Sequence, residues 1–67
     1  MTIGQSIQKA RRDKGYTVPQ LAFKAGVGAG TIKFWEMDKC APNLVSAISV
    51  ANVLNITLDE LVGRSRQ

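Results

Sequence analysis

Three threonines open the same short pattern at widely separated points of the chain, each followed three residues later by Gln or Glu. The pairs are Thr2 with Gln5, Thr17 with Gln20, and Thr57 with Glu60. In such a capping box the hydroxyl accepts a hydrogen bond from one free amide of the first helical turn, and the Gln or Glu side chain accepts one from the threonine amide. Apolar residues at helical spacing follow each pair, so the pattern predicts a helical chain with three defined helix starts.

Breaker residues and apolar spacing together predict five helices. They cover residues 3–14, a segment between Thr17 and Gly26, residues 29–37, Leu44–Leu54 and residues 58–62. Gly15 is expected in the left-handed conformation after helix 1, and Asn43 is expected to cap helix 4. The predicted core of helices 1 to 3 contains Ile3, Ile7, Ala10, Leu21, Ala22, Ala25, Ile32 and Trp35. Helix 4 is apolar on nearly every side, so we expect it to be the central and most buried helix.

The predicted fold class is all-α, a compact five-helix bundle. At 67 residues the chain has room for one domain, with a core over about 3–62 and a basic tail over 63–67. Helices 2 and 3 meet through the sequence AGVGA at 25–29, whose small residues let two helices cross steeply. These two helices are therefore predicted to form a helix-turn-helix.

The composition argues against catalysis and metal binding. The chain has no histidine and one cysteine, and its five carboxylates are scattered. Ser–His and Cys–His nucleophile pairs and zinc sites are thus not expected, and we predict no catalytic residue, no cofactor and no metal. Cys40 is expected to be an unreactive, half-buried loop residue. Apolar stretches are too short to span a bilayer, and a cytoplasmic location without membrane contact is expected.

The charge balance favours a phosphate-bearing partner. The net charge is +4 and the isoelectric point is near 9.7. Lysine and arginine side chains that neutralise phosphates release counterions, which makes such binding salt-dependent. A mildly basic domain without such a partner remains an alternative on charge alone.

The chain resembles the Cro and phage-repressor type of helix-turn-helix domain, the lambda-repressor-like fold. The resemblance is carried, over roughly 3–62, by Ile7, Arg11, KGYT at 14–17, LA at 21–22, AGV at 25–27, TI at 31–32, WE at 35–36, Pro42, Ala51 and LNITLDEL at 54–61. It implies a five-helix protein that binds double-stranded DNA as a homodimer and regulates transcription. It also implies a structural ion pair between Arg11, late in helix 1, and Glu36, late in helix 3.

Helix 3 is the expected DNA-reading helix, with its first residues toward the base edges of the major groove. Because Ile32 and Trp35 face the core, the opposite stripe contains Gly30, Lys33, Phe34 and Met37. The resemblance places Ala29, Gly30 and Phe34 where related proteins often carry Gln, Arg, Ser or Asn. Here these positions are apolar or lack a side chain, so readout is expected to depend on thymine methyl contacts, one lysine and DNA shape.

The predicted DNA-contacting set extends over both helices and the loop after helix 3. It contains Thr17, Val18, Gly28, Ala29, Gly30, Thr31, Lys33, Phe34 and Lys39. Thr17 and Thr31 supply hydroxyls, Lys33 is placed for a guanine edge or a phosphate, and Lys39 is placed for a phosphate. Two members depart from the family pattern, since Gly28 replaces a usual Ser or Thr cap and Val18 replaces a frequent glutamine. Backbone amides at both helix starts remain available to phosphates.

Two functions remain open at this point. The first is a sequence-specific DNA-binding regulator, a repressor of phage or mobile-element type, dimerising through helices 4 and 5 with Leu61 or Val62 and needing no small-molecule ligand. The second keeps the fold but uses the apolar Phe34 and Met37 face to bind a protein, as an adaptor or antirepressor. The apolar reader positions favour the second function, whereas the positive charge favours the first.

Overall fold

A computed structural model describes residues 2–61, which form five α-helices. Helices α1 (Ile3–Asp13), α2 (Val18–Ala25), α3 (Ala29–Glu36), α4 (Leu44–Leu54) and α5 (Leu58–Leu61) follow the predicted order. The ends of α1 and α3 lie one residue before the predicted ones, because Lys14 and Met37 are caps rather than helical residues. The predicted last residue of α5, Val62, and the basic tail lie outside the described residues. The all-α prediction is confirmed.

All three predicted capping boxes form. The amide of Gln5 donates to Thr2 Oγ1 at 3.1 Å, that of Gln20 to Thr17 Oγ1 at 3.2 Å, and that of Glu60 to Thr57 Oγ1 at 3.1 Å. The return bonds, from each threonine amide to the Gln or Glu side chain, measure 2.8–2.9 Å. Asn43 Oδ1 accepts from the Ser46 amide at 2.8 Å and begins α4 as predicted. Local sequence thus sets four of the five helix starts.

The helix-turn-helix is closed by backbone geometry between α2 and α3. Gly26 adopts a left-handed φ of 73°, and the Val27 amide donates to the Ala22 carbonyl at 2.9 Å. A residue with a side chain is strained at that φ, which explains the glycine. Gly15, predicted to be left-handed after α1, has a φ of 75°.

One core joins the five helices. Its fully buried large side chains are Ile7, Leu21, Ile32, Val50, Leu54 and Leu61. Helix α3 packs against α1 and α2, whereas α4 packs against α1, α2 and α5. Ile3, Ala10 and Ala25 are half-buried at the edge of this core rather than inside it. The outer face of α3 is consequently left uncovered.

As predicted, α4 has more buried residues than any other helix of residues 2–61, but it is buried on one side only. Ala47, Val50, Ala51 and Leu54 face the core, but Leu44, Val45 and Ile48 on the opposite side are 68%, 73% and 41% exposed. The physical reason is that α5, with four residues, is too short to cover a second face of α4. The exposed side chains form an apolar face that we call the α4 face, defined by Leu44, Val45 and Ile48.

Within residues 2–61, no helix has both the length and the apolarity needed to cross a bilayer.

A buried hydroxyl gives a stability prediction for α1. Ser6 is 5% exposed, and its Oγ atom has no hydrogen-bond partner among the described residues. A buried polar group without a partner destabilises the folded state, and alanine is also the better helix former. We expect Ser6→Ala to raise the free energy of unfolding by about 0.5–1 kcal/mol. Urea unfolding measures the change; equal or lower stability would show that the hydroxyl is satisfied.

Candidate nucleic-acid interface

The predicted ion pair between α1 and α3 is present and largely buried. Arg11 Nε and Nη2 donate to the two carboxylate oxygens of Glu36 at 2.7 and 3.1 Å. The two side chains are 11% and 6% exposed. Arg11 Nη1 also donates to the Tyr16 carbonyl at 2.9 Å, in the turn before α2. One guanidinium therefore fixes α3 relative to α1 and to the start of α2.

The uncovered face of α3 is the one predicted from the sequence. Gly30, Lys33, Phe34 and Met37 are all exposed, and Phe34 and Met37 are each 51% exposed. On the opposite side Ile32 and Trp35 are 0% and 4% exposed. We call these four exposed residues the α3 face.

The starts of α2 and α3 differ in how their amides are satisfied. At α2, Thr17 caps the helix with its side chain, and Pro19 follows in the first turn. At α3, the N-cap residue Gly28 provides no side-chain hydrogen bond. The first amides of an α-helix have no partner within the helix, so those of α3 remain free to bind an anion aligned with the helix dipole.

A groove of about 500 Å³ runs beside α3. Val18 and Pro19 line it from the start of α2, and Ala29, Gly30, Lys33 and Met37 line it from α3. Arg11 and Glu36 also border it, so the buried ion pair supports its walls. We call this feature the α2–α3 groove.

Two lysines at this side of the molecule carry positive charge. Lys33 and Lys39 are both exposed, and neither forms an ion pair with another residue of the 2–61 range. The Lys39 amide donates to the Phe34 carbonyl at 3.0 Å, which holds the backbone of Lys39 directly after α3. Lys33 therefore lies on α3, and the backbone of Lys39 is attached to the end of α3 by this hydrogen bond.

The structure brings four of the predicted contact residues together in the α2–α3 groove, namely Val18, Ala29, Gly30 and Lys33. Eight of the predicted residues are exposed, namely Thr17, Gly28, Ala29, Gly30, Thr31, Lys33, Phe34 and Lys39. Val18 is half-buried and packs against the core while also lining the α2–α3 groove. Whether any of them contacts DNA stays a prediction.

One further prediction about a side chain is wrong, and one of two alternatives for another is excluded. Cys40 is exposed rather than half-buried, because the loop after α3 turns away from the core. Leu61, expected on a dimer surface, is 0% exposed because α5 packs it against α1 and α4. Val62, the alternative residue for that surface, lies outside the described residues.

A contact between the loop after α3 and the start of α1 was not predicted from the sequence. Asp38, at a left-handed φ of 59°, accepts from the Thr2 hydroxyl at 2.8 Å and from the Gly4 amide at 3.1 Å. A carboxylate at a helix N-terminus is stabilised by the free amides and the dipole. The available signal was Gly4, since a glycine inside a helical pattern often marks the close approach of another segment.

Comparison with known proteins agrees with the helix-turn-helix fold described above. A family model described as helix-turn-helix matches residues 7–61. The chain is 28% identical over 64 residues to the HTH-type transcriptional regulator ImmR of Bacillus subtilis, covering 96% of this chain and 50% of ImmR. It is 35% identical over 63 residues to the immunity repressor protein of Bacillus phage phi105, covering 94% of this chain and 44% of that protein. It thus spans about half the length of these curated relatives.

Among solved structures, the fold is similar to the N-terminal DNA binding domain of SinR from Bacillus subtilis. The TM-score is 0.87 at 30% identity, and the match covers 97% of this chain and 96% of that one. The family and the fold are those of DNA-binding transcription regulators rather than of enzymes. The chain belongs to the helix-turn-helix family of Cro and phage-repressor type.

Proposed function

We propose that this chain is a sequence-specific DNA-binding transcriptional regulator, a repressor of phage or mobile-element type. The observation that carries the proposal is the α3 face, which the Arg11–Glu36 pair holds in a fixed orientation and which no other helix of residues 2–61 covers. In a helix-turn-helix the second helix lies in the major groove, and here that helix is α3. A cytoplasmic location is part of this proposal, and membership of a DNA-binding family supports it.

The contact chemistry follows from the exposed groups. Lys33 and Lys39 neutralise phosphates, and Lys33 can also reach a guanine edge. The free amides at the start of α3 and the Thr17 and Thr31 side chains contact the DNA backbone. Phe34 supplies an apolar contact to a base edge. Phosphate contacts position the protein, and the smaller set of base contacts provides specificity.

The salt dependence of binding tests this assignment. From bound genomic fragments, one enriched duplex is selected and its affinity is measured over a range of salt concentrations. We expect Lys33→Ala and Lys39→Ala each to lower the slope of log affinity against log salt by about one unit, because each removes one phosphate contact. Lys9, which pairs with Asp13 on α1, is the control position, and Lys9→Ala should leave the slope unchanged. Equal, weak binding to all duplexes at physiological salt would refute the proposal.

A second function is favoured by the exposed aromatic and thioether of the α3 face. Phe34 and Met37 lie one turn apart, each half exposed, and form a small apolar surface suited to a protein partner. If the protein is an adaptor or antirepressor, the wild type should bind DNA with no sequence preference. The Phe34→Ala variant should then no longer bind the protein partner. Sequence-selective binding that is weakened by Phe34→Ala supports the DNA-reading role instead.

We further propose that the protein acts as a homodimer, with two copies meeting through the α4 face. The three apolar side chains of the α4 face lie within about 100° of one another around the helix axis, so they form one continuous surface. Leu58 on α5, which is 38% exposed, is a further apolar side chain available to such an interface. A two-fold dimer presents two copies of α3 to successive major grooves about one helical turn apart. The bound site is then roughly palindromic.

Sedimentation of the free protein and of its DNA complex tests the dimer. Val45→Asp places a charge in the proposed interface, and we expect it to shift the protein to monomer and to weaken DNA binding at least tenfold. Phe23, which is 88% exposed on α2, offers a matched apolar position outside the interface. Phe23→Asp should leave the oligomeric state unchanged. Retention of the dimer in Val45→Asp would place the interface elsewhere.

A further inference from the structure

We infer that the α2–α3 groove receives the 5-methyl group of a thymine, and that Gly30 determines specificity by keeping this groove open. The inference rests on the proposed function, because it names the chemical group that the DNA presents to α3. It reverses the usual arrangement, in which a protein side chain extends toward the base edge.

Gly30 has no explanation within the described residues. Its φ lies in the ordinary helical region, unlike those of Gly15 and Gly26, so its conformation is open to any residue. A Cβ atom added at Gly30 would meet nothing within 4 Å, so packing does not require glycine either. Alanine is the better helix former at this position. No contact among residues 2–61 requires glycine here, which favours a role in binding a ligand.

The groove beside Gly30 has two apolar walls, and Gln8, Arg11 and Glu36 also line it. Val18 and Pro19 contribute the wall from α2, and Ala29 and Met37 contribute that from α3. Its volume of about 500 Å³ holds a methyl group together with the edge of the ring that carries it. Lys33 lines the same groove and supplies a positive charge toward a phosphate-bearing ligand.

Thymine matches these properties among the groups of the major groove. Guanine, adenine and cytosine present hydrogen-bond donors and acceptors there, whereas thymine also presents an apolar 5-methyl group. The part of the groove formed by Val18, Pro19, Ala29 and Gly30 offers no side-chain hydrogen bond, so it suits the methyl group better than the polar groups of the other bases. The methyl group instead loses unfavourable contact with water.

Deoxyuridine, which pairs like thymidine but lacks the methyl group, tests the inference directly. In the selected duplex each thymidine is replaced in turn, and the affinity is measured at one salt concentration. For the wild type we expect one replacement in each half-site to weaken binding about fivefold, the effect of removing one buried methyl group. No loss at any position would overturn the inference while leaving the proposed function intact.

The Gly30→Ala variant tests whether the loss of affinity with deoxyuridine arises in the α2–α3 groove. We expect this variant to fold with equal or higher thermal stability, to bind the thymidine duplex about fivefold more weakly, and to lose its sensitivity to deoxyuridine at that position. Phe34→Ala is the comparison variant, and it should keep that sensitivity because Phe34 does not line the groove. If Gly30→Ala kept full sensitivity and Phe34→Ala lost it, the methyl group would lie on Phe34 and the inference would be overturned. Failure to select any duplex would remove the proposed function and this inference together.

Discussion

Glu36→Ala is expected to lower the free energy of unfolding by about 3–4 kcal/mol, because it strands the Arg11 guanidinium in a largely buried position. The pair makes two hydrogen bonds of 2.7 and 3.1 Å, and its side chains are only 11% and 6% exposed. A domain of this size has few kcal/mol in reserve, so the variant should be partly unfolded at 37 °C. Urea unfolding at 10 °C, followed by circular dichroism, measures the loss.

A double-mutant cycle separates the pair from the packing of its two side chains. Arg11→Met with Glu36→Met removes both charges and keeps apolar volume, so the double variant should be more stable than Glu36→Met alone, which leaves the Arg11 charge without its partner. Lys9→Ala breaks an ion pair between side chains that are each 65% exposed, and it should change stability little. Additive effects of the Arg11 and Glu36 substitutions would mean that the two side chains do not interact in solution.

Gly4→Ala should destabilise the fold by about 2–3 kcal/mol through steric overlap. A Cβ atom at Gly4 would overlap the Trp35 carbonyl oxygen and would lie 2.6 Å from Asp38 Oδ1 and 2.9 Å from the Glu36 carbonyl oxygen. Two of these three atoms belong to the backbone, so neither can turn aside as the end of a flexible side chain would. The start of α1 would have to move away from the end of α3. Thermal unfolding reports the loss.

Gly30→Ala is the matched control for that substitution. Both glycines lie in the first turn of a helix, but a Cβ atom at Gly30 would meet no atom within 4 Å. Alanine should therefore stabilise the domain by up to about 1 kcal/mol at Gly30. If the two substitutions changed stability by the same amount, helix propensity rather than the contact with α3 would account for Gly4.

The parts of the fold that could be predicted from the sequence are those fixed by neighbouring residues. Capping boxes and Asn43 define helix starts within four residues of chain, and Gly15 and Gly26 mark ends that need a left-handed φ. Helical spacing around Ile32 and Trp35 also identified the free side of α3. In each case the relevant contacts lie within one or two turns of the same helix.

The parts that were wrong or missed depend on contacts between distant segments. The composition of α4 indicates an apolar helix, but only the assembled bundle shows that Val45 has no neighbour to cover it. The hydrogen bonds from Thr2 and Gly4 to Asp38 join residues more than thirty positions apart. Cys40 is exposed for a related reason, since its burial depends on the path of the loop after α3.

In the candidate site, too, the features that depend on neighbouring residues were predicted and those that depend on distant segments were not. The sequence supplied its residues and its charge, and the Arg11–Glu36 pair followed from the resemblance to a family. The α2–α3 groove was not predicted, because it depends on how far the start of α2 lies from α3. The open space at Gly30 likewise becomes visible only once the surrounding helices are in place.

The most direct test of the proposed function is a titration of the isotopically labelled protein with the selected duplex, followed by amide chemical shifts. We predict saturable binding at physiological salt, with the largest changes at Thr17 and Val18 and over residues 28–39. Amides at the buried side of α4, such as Val50 and Ala51, should change least. Unchanged α3 amides at saturation, or the largest changes confined to α5, would contradict a DNA-reading role for α3.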